Sequence, residues 1–343
     1  MIESRPYEGS ADLRRMQRLV QDAWALRREK TAHHVGDLAW QRFQHVGREP
    51  LWRTHLWEDG ERVVAYGWVL EDDVLDFCVH PRQPELLDDV LAWADALETE
   101  VLDSDLEGIA TLERHGYARA ADDAPFFAFM AHKLGAVPEA AVPDGFAVRT
   151  VDAADVDGRV TAHRSAFNPS RVTVESYGNV MRSWPYRDDL DCIAVAPDGR
   201  IAAYCLAWLD EENRAGELEP VGTHADFRRL GLAAAVCSFA LGRLRQEGAN
   251  VAVVYSRGDA AYPAPKLLYE SLGLPRPRAD VHVPSARVTD GYRAGVRLAW
   301  TAALKAPIVR STSSSLVCQF ETEMRIARRP AQTVPLNQAS PLS

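Results

Sequence analysis

From Glu219 to Ala233 the chain reads Glu-Pro-Val-Gly-Thr-His-Ala-Asp-Phe-Arg-Arg-Leu-Gly-Leu-Ala. An apolar, strand-like approach runs into a basic turn, and the turn opens a long amphipathic helix, Ala233 to Gln246. Such a turn presents backbone N–H groups that have no acceptor within the helix, together with the positive end of the helix dipole. Both favour phosphate. Gly231 lets the backbone approach an anion with no Cβ in the way. Arg228 and Arg229 can add charge-assisted contacts. The chemistry on offer is capture of a phosphate-bearing small molecule. Taken alone, the same residues also describe an ordinary surface helix start with two arginines in solvent. A second segment, Lys266 to Leu274, reads as a helix end stopped by Gly273.

The order strand, basic turn, long helix, strand Val251–Tyr255, then a helix with Leu268-Tyr269-Glu270 and Gly273 resembles the GCN5-related N-acetyltransferase (GNAT) superfamily. Its Gln/Arg-x-x-Gly-x-Gly/Ala motif is matched by Arg228-x-x-Gly231-x-Ala233. Its Leu-Tyr-Glu-x-x-Gly-Phe motif is matched by Leu268 to Gly273, with Leu274 in place of phenylalanine. The resemblance implies acetyl-CoA as co-substrate, with no metal. Val221, Gly222 and Thr223 would offer backbone groups to the pantetheine arm. Arg228, Arg229, Leu230, Gly231, Leu232 and Ala233 would surround the pyrophosphate. Tyr269 matches the tyrosine that protonates the leaving thiolate, although a helix tyrosine packed on the sheet with a wet hydroxyl would look the same.

Acetyl transfer to an amine also needs an acceptor for the amine proton. Glu219 lies on the strand before the turn, near where the strands of such a fold part. Partial burial would raise its pKa towards usefulness. A strand-end glutamate in solvent is the alternative, and His224 and His163 are further candidates. On the acceptor side, Asn168 to Arg171 and Tyr177 to Tyr186, with Trp184, offer aromatic walls. Asp188, Asp189 and Asp191 follow, as partners for a cationic amine or as a solvated turn before the strand Cys192–Val195.

The chain of 343 residues is long enough for two domains, and its net charge of -10 argues against a general nucleic-acid binder. Five scattered cysteines (Cys78, Cys192, Cys205, Cys237, Cys318) form no Cys-x-x-Cys pair and read as reduced core residues. The first residues lack an apolar signal region, and no stretch is long enough for a membrane span. The expected location is therefore cytoplasmic, without membrane or nucleic-acid partners. The oligomeric state is not legible.

The fold occurs twice. Asp59-Gly60 before Val63-Val64-Ala65-Tyr66 parallels Asp198-Gly199 before Ile201-Ala202-Ala203-Tyr204. Leu75 to His80 parallels Leu218 to Thr223, and Leu112 to Tyr117 parallels Tyr269 to Leu274. This predicts an α/β (α+β) protein of two tandem GNAT-like domains, each a mixed, mostly antiparallel sheet flanked by helices. The first spans residues 1–134 and is degenerate. A Pro/Ala-rich linker at 135–145 leads to a catalytic domain at 146–285 and a largely disordered extension at 286–343. Where the second half has its phosphate turn, the first has Pro81 to Asp89: no glycine, two prolines, and Glu85, Asp88 and Asp89. Leu112 stands where Tyr269 would be. The first half is not expected to bind acyl-CoA productively. The doubled layout is similar to that of mycothiol synthase. A last strand is expected within 275–284 and a helix within 291–308. The function that follows is acetyl transfer from acetyl-CoA to a primary amine of a small molecule by direct attack. A non-catalytic acyl-CoA-binding protein and a protein N-acetyltransferase are the alternatives.

Overall fold

The computed structural model describes residues 1–70, 73–120, 126–137, 139–258 and 262–274, together with the backbone of a strand at 282–287. The expected helix at 291–308, the extension and Cys318 lie outside these residues. The first half contains β1 (Ile2–Pro6), α1 (Ser10–Arg27), α2 (Val35–Phe43), β2 (Arg53–Asp59), β3 (Arg62–Val69), β4 (Val74–Val79), α3 (Leu86–Ala94), β5 (Glu98–Leu102), α4 (Leu106–Arg114), β6 (Tyr117–Arg119) and β7 (Phe127–Lys133). The second half repeats this order with β8 (Ala147–Thr150), α5 (Val156–Ala166), α6 (Val174–Met181), β9 (Asp191–Val195), β10 (Ile201–Asp210), β11 (Ala215–Thr223), α7 (Leu232–Gln246), β12 (Val251–Arg257), α8 (Ala264–Ser271) and β13 (His282–Arg287). The Asp-Gly pairs sit in the β2–β3 and β9–β10 turns, as their turn chemistry predicts.

The strands form two sheets, ordered β1-β2-β3-β4-β5-β13-β6 and β7-β12-β11-β10-β9-β8. The last strand of each half is exchanged. β7 pairs antiparallel with β12 from Phe127↔Arg257 to Lys133↔Val251. β13 enters the first sheet between β5 and β6. The final strand therefore differs from expectation in place and in sheet: β7 already covers the free edge of β12, so the chain after Gly273 completes the open edge of β5 instead. Main-chain ladders thus tie the halves together.

Side chains join them as well. One apolar cluster combines Met16, Leu38, Tyr66 and Trp68 with Ala215 and Val253 of the second half. Another packs Ala39 and Trp40 of α2 against Tyr177, Leu206 and Trp208. The entry of α2 comes closest. A Cβ on Gly36 would lie 2.2 Å from Cγ of Trp208, so no side chain fits there. In the second half β10 is buried along its whole length, as befits a strand covered on both faces.

Of the three aspartates at the entry to β9, Asp188 is exposed as a solvated turn would have it, but Asp189 and Asp191 are held by partners within the chain. Asp191 is fully buried against Arg159 at 3.3 Å and accepts the Tyr177 hydroxyl. Asp189 pairs with Arg187 at 2.7 Å and with Arg243 at 2.9 Å. Apart from Arg187, two residues from Asp189, these partners lie on α5, α6 and α7, elements whose proximity local sequence does not reveal.

Candidate active site

β11 and β12 run parallel, but they pair only from Ala215–Glu217 to Val251–Val253. Beyond Glu217 the strands part, and Leu218 to Thr223 edge an open wedge. On its other side β11 pairs with β10, where the register slips between Cys205↔Val221 and Ala207↔Leu218. Glu219 and Pro220 together oppose Leu206 there, which makes a bulge. Pro220 has no N–H to give to a ladder, so a bulge is one of the few places a sheet accepts it. The indole Nε1 of Trp208 donates to the Glu219 carbonyl at 2.6 Å and pins the bulge. The signal was present in the sequence as a proline inside a strand.

The phosphate turn follows. Gly231 is the N-cap of α7 with φ 81°, and no side chain caps the helix. Arg229 also has a positive φ, 64°. The first turn of α7 contains no acidic residue. Alternating left-handed residues aim successive N–H groups into one concavity, which suits an anion. The fit to a pyrophosphate is good: a Cβ on Gly231 would meet no protein atom within 4 Å. Arg229 and Leu230 are exposed, Val221, Gly222, Thr223, Arg228 and Ala233 half-buried. Arg228 also donates to the Ala166 carbonyl at 3.3 Å. Leu232 differs from expectation in its side chain, which is buried in the core. It anchors the turn in the core.

Behind the wedge stands Tyr269, 5% exposed. Burial, followed by Cys237, Cys205, Glu219 and Tyr204, holds its hydroxyl pKa well above the usual value. It therefore keeps its proton and has an O–H to donate. Glu219 is half-buried, and its carboxyl is pushed up to about 8, first by burial and then by Asp37 of α2. Glu217 is fully buried and also pushed up to about 8, chiefly by burial. Asp37 is raised well above the carboxylate range by burial and then by Glu217.

His34 Nδ1 lies 3.2 Å from Oε2 of Glu217, yet this contact is not an ion pair. Nε2 of His34 faces the Ala215 carbonyl at 3.2 Å and must carry the proton there, while Nδ1 accepts from Gly36 N at 3.2 Å. Burial keeps His34 neutral. The one lone pair of Nδ1 is taken by Gly36, so the approach of Glu217 is a close contact without a hydrogen bond. Asp37 and Glu217 are site residues that sequence reasoning missed. Glu217, an acid inside an apolar strand, was the one readable trace.

The two histidines considered as bases have other work. His163 is buried, its Nδ1 is 2.8 Å from the Tyr204 hydroxyl, and burial followed by Arg159 lowers its pKa far below the ordinary value. Nδ1 of His224 accepts from Asp226 N at 3.2 Å and caps the turn at Ala225–Phe227. Of the aromatic wall, Tyr177 is buried against Asp191. Trp184 is 39% exposed, under the Arg14 guanidinium at 3.6 Å. It lines a cavity of about 620 Å³ between the halves with Arg42, His45 and Arg182.

The first half has its own wedge. β4 and β5 pair only at Val74–Leu75 and Glu98–Thr99, leaving a cavity of about 70 Å³ beside His33 and Glu100. Asp76, at the place of Glu219, is hydrogen-bonded to Nε2 of His33. Leu112 is buried where Tyr269 would stand. The first turn of α3 carries Asp88 and Asp89, which oppose an anion.

These features define a class, and comparison with known proteins agrees. Residues 160–273 match the acetyltransferase (GNAT) family and form a GNAT domain, which makes the protein an enzyme of the acyltransferase class. No curated protein sequence matches the chain. Many solved structures share its fold, the following three among them. A GCN5-related N-acetyltransferase from Sphaerobacter thermophilus has TM-score 0.56 and 21% identity, covering 83% of this chain and 94% of its own. A tandem GNAT protein of the clavulanic acid biosynthesis pathway has TM-score 0.57 and 16% identity, covering 85% and 100%. A GNAT-family acetyltransferase from Colwellia psychrerythraea has TM-score 0.56 and 13% identity, covering 84% and 100%. The fold is two GNAT-like units in tandem. These structures do not bear on mycothiol synthase in particular. The GNAT family draws its acyl group from acetyl-CoA. Among the described residues no helix is long and apolar enough to cross a membrane, and no three side chains group as metal ligands.

Proposed function

We propose that the protein transfers an acetyl group from acetyl-CoA to a primary amine of a small molecule by direct attack, and that it does so in the cytoplasm. The observation that carries this reading is the uncapped, acid-free start of α7 beside a wedge bordered by Glu219 and Tyr269. The backbone of Val221 to Thr223 lies along the open strand edge and would hold the pantetheine arm. The turn from Arg228 to Ala233 holds the pyrophosphate. Acetyl-CoA supplies the activated acyl group. The chain supplies Glu219, which takes the amine proton, and Tyr269, which hands its own to the departing sulfur. Release of thiol from acetyl-CoA, followed against a panel of small amines and a lysine peptide, tests the reading. A preference for the peptide would favour a protein acetyltransferase, and no release with any acceptor would leave a binding protein.

Tyr269→Phe removes the donor and little volume. The expected result is a fall in kcat of roughly ten- to a thousand-fold with little change in acetyl-CoA affinity. Full activity at saturating substrate would make the tyrosine structural.

Calorimetry is expected to show one acetyl-CoA bound per chain. The first half opposes an anion with Asp88 and Asp89 at the start of α3, and its wedge encloses only about 70 Å³. Two equivalent sites would refute this asymmetry.

A further inference from the structure

The cavity of about 620 Å³ between the halves is walled by α1, the end of α2 and the end of α6. Its charge is unbalanced. Arg14, Arg42 and Arg182 line it, and Glu49 is the one acid among its described lining residues. Glu49 is taken by Arg42 at 2.8 Å. Arg14 and Arg182 have no carboxylate partner among the described residues. Arg14 makes one long hydrogen bond, to Oε1 of Gln21 at 3.4 Å, and lies over the Trp184 ring at 3.6 Å. Arg182 donates to Oδ1 of Asn179 at 2.6 Å. The chain carries 49 acids against 39 lysines and arginines, so no shortage of partners forces two unpaired arginines onto one cavity. Helix dipoles account for Arg42, in the last turn of α2, and for Arg182, which ends α6. They do not account for Arg14, near the start of α1, where a cation gains nothing from the dipole. Partial burial and then Arg18 hold the Arg14 guanidinium below the usual arginine range, and Asp210 and Glu212 oppose this only from a distance. That is the state of a cation without a counter-ion.

The walls are fixed before any ligand arrives. Gln17 is buried, and its Nε2 donates to the carbonyls of Val35 and Trp184, each at 3.0 Å. This ties Trp184 of the second half to α1 of the first, beside Arg14. A guanidinium lying on a ring keeps its edge for a carboxylate or phosphate, which it meets with two parallel hydrogen bonds. Leu13, Phe43 and Val46 add apolar surface, and the volume suits a small organic molecule. We propose that this cavity binds a small organic acid, a carboxylate or phosphate on an apolar body. Arg14 from the first half and Arg182 from the second hold the anionic group, and Trp184 lies beside the apolar body. No lining residue belongs to the wedge or to the phosphate turn, so the site is separate from the one assigned to acetyl-CoA. It does not rest on the acetyl-transfer reading.

Fluorine NMR on the full chain tests this with three probes of one shape: 4-fluorobenzoate, 4-fluorophenyl phosphate and the uncharged 4-fluorobenzamide. At least one acid is expected to bind, and the amide to bind at least roughly tenfold more weakly, as the loss of hydrogen bonds to a charged group implies. The tighter of the two acids identifies the anionic group. Arg14→Gln and Arg182→Gln should each weaken the acid by roughly tenfold or more. Both side chains are exposed, so circular dichroism of the variants should match the parent. Arg14→Lys should restore only part of the affinity, because an ammonium lacks the planar fork. Saturating acetyl-CoA should leave the acid bound. Displacement by acetyl-CoA would place the acid on the phosphate turn and overturn the proposal. So would equal binding of the amide, no binding of either acid, or parent affinity in both glutamine variants. Each of these results leaves the acetyl-transfer reading untouched.

Discussion

Glu219→Gln is expected to lower kcat by roughly a hundred- to ten-thousand-fold, the range lost with a general base, and to flatten the acid limb of the pH–rate profile. That limb should lie near the Glu219 midpoint of about 8 in the parent, since only the ionised carboxyl accepts a proton. An acceptor with a weakly basic amine keeps its own ionisation out of the profile. The same substitution has a signature in stability. Folding raises the Glu219 pKa from 4.5 to about 8. At pH values below both, folded and unfolded chains alike are protonated. Between them the unfolded chain releases its proton and the folded one keeps it, so stability falls as pH rises and the loss is complete above the folded value. Glutamine has no such proton. The variant should therefore melt higher than the parent in alkaline buffer and no higher below pH 4.5, the unfolded value. Calorimetric scans at both pH values check the sign, and a parent-like acid limb in the variant would remove Glu219 from the proton path.

Gly231→Glu is expected to abolish acetyl-CoA binding in a folded protein. Sequence alone suggested a clash with the approaching anion and a repelling charge, and a Cβ at Gly231 meets no atom of the chain itself. Two penalties follow. A φ of 81° costs a non-glycine residue roughly 1–2 kcal/mol, which the fold can absorb. The new carboxylate stands where the pyrophosphate belongs, and juxtaposed like charges cost several kcal/mol, so affinity should fall by at least roughly a hundredfold. An acid at a helix start favours the helix itself, so circular dichroism should match the parent. Titration calorimetry showing parent affinity would mean that the cofactor does not use this turn.

The elements that the sequence revealed are those whose reasons are local. The turn from Arg228 to Ala233 opens a helix because glycine, arginines and a following apolar period stand together, and Tyr269 sits on the helix its motif implies. The Asp-Gly hairpins and the internal repeat were legible for the same reason. Asp37 was not, because its importance comes from Gly36 docking on Trp208, a contact between halves. Asp191 read as solvated because Arg159 and Tyr177, which enclose it, lie on helices whose packing no local pattern encodes. The strand exchange was hidden too. Alternation shows that a segment is a strand and says nothing about which open edge it will join.

That exchange bears on how the protein comes into being. The ribosome delivers β7 before the sheet it completes exists, and delivers β13 only after every other described strand. Until then the first sheet waits with β5 and β6 apart, and the edges awaiting β13 could recruit another chain. The early half can finish only when the late half has emerged. A gene cut at the linker would hand each product the other's strand, so the duplicated halves are bound to be inherited as one unit.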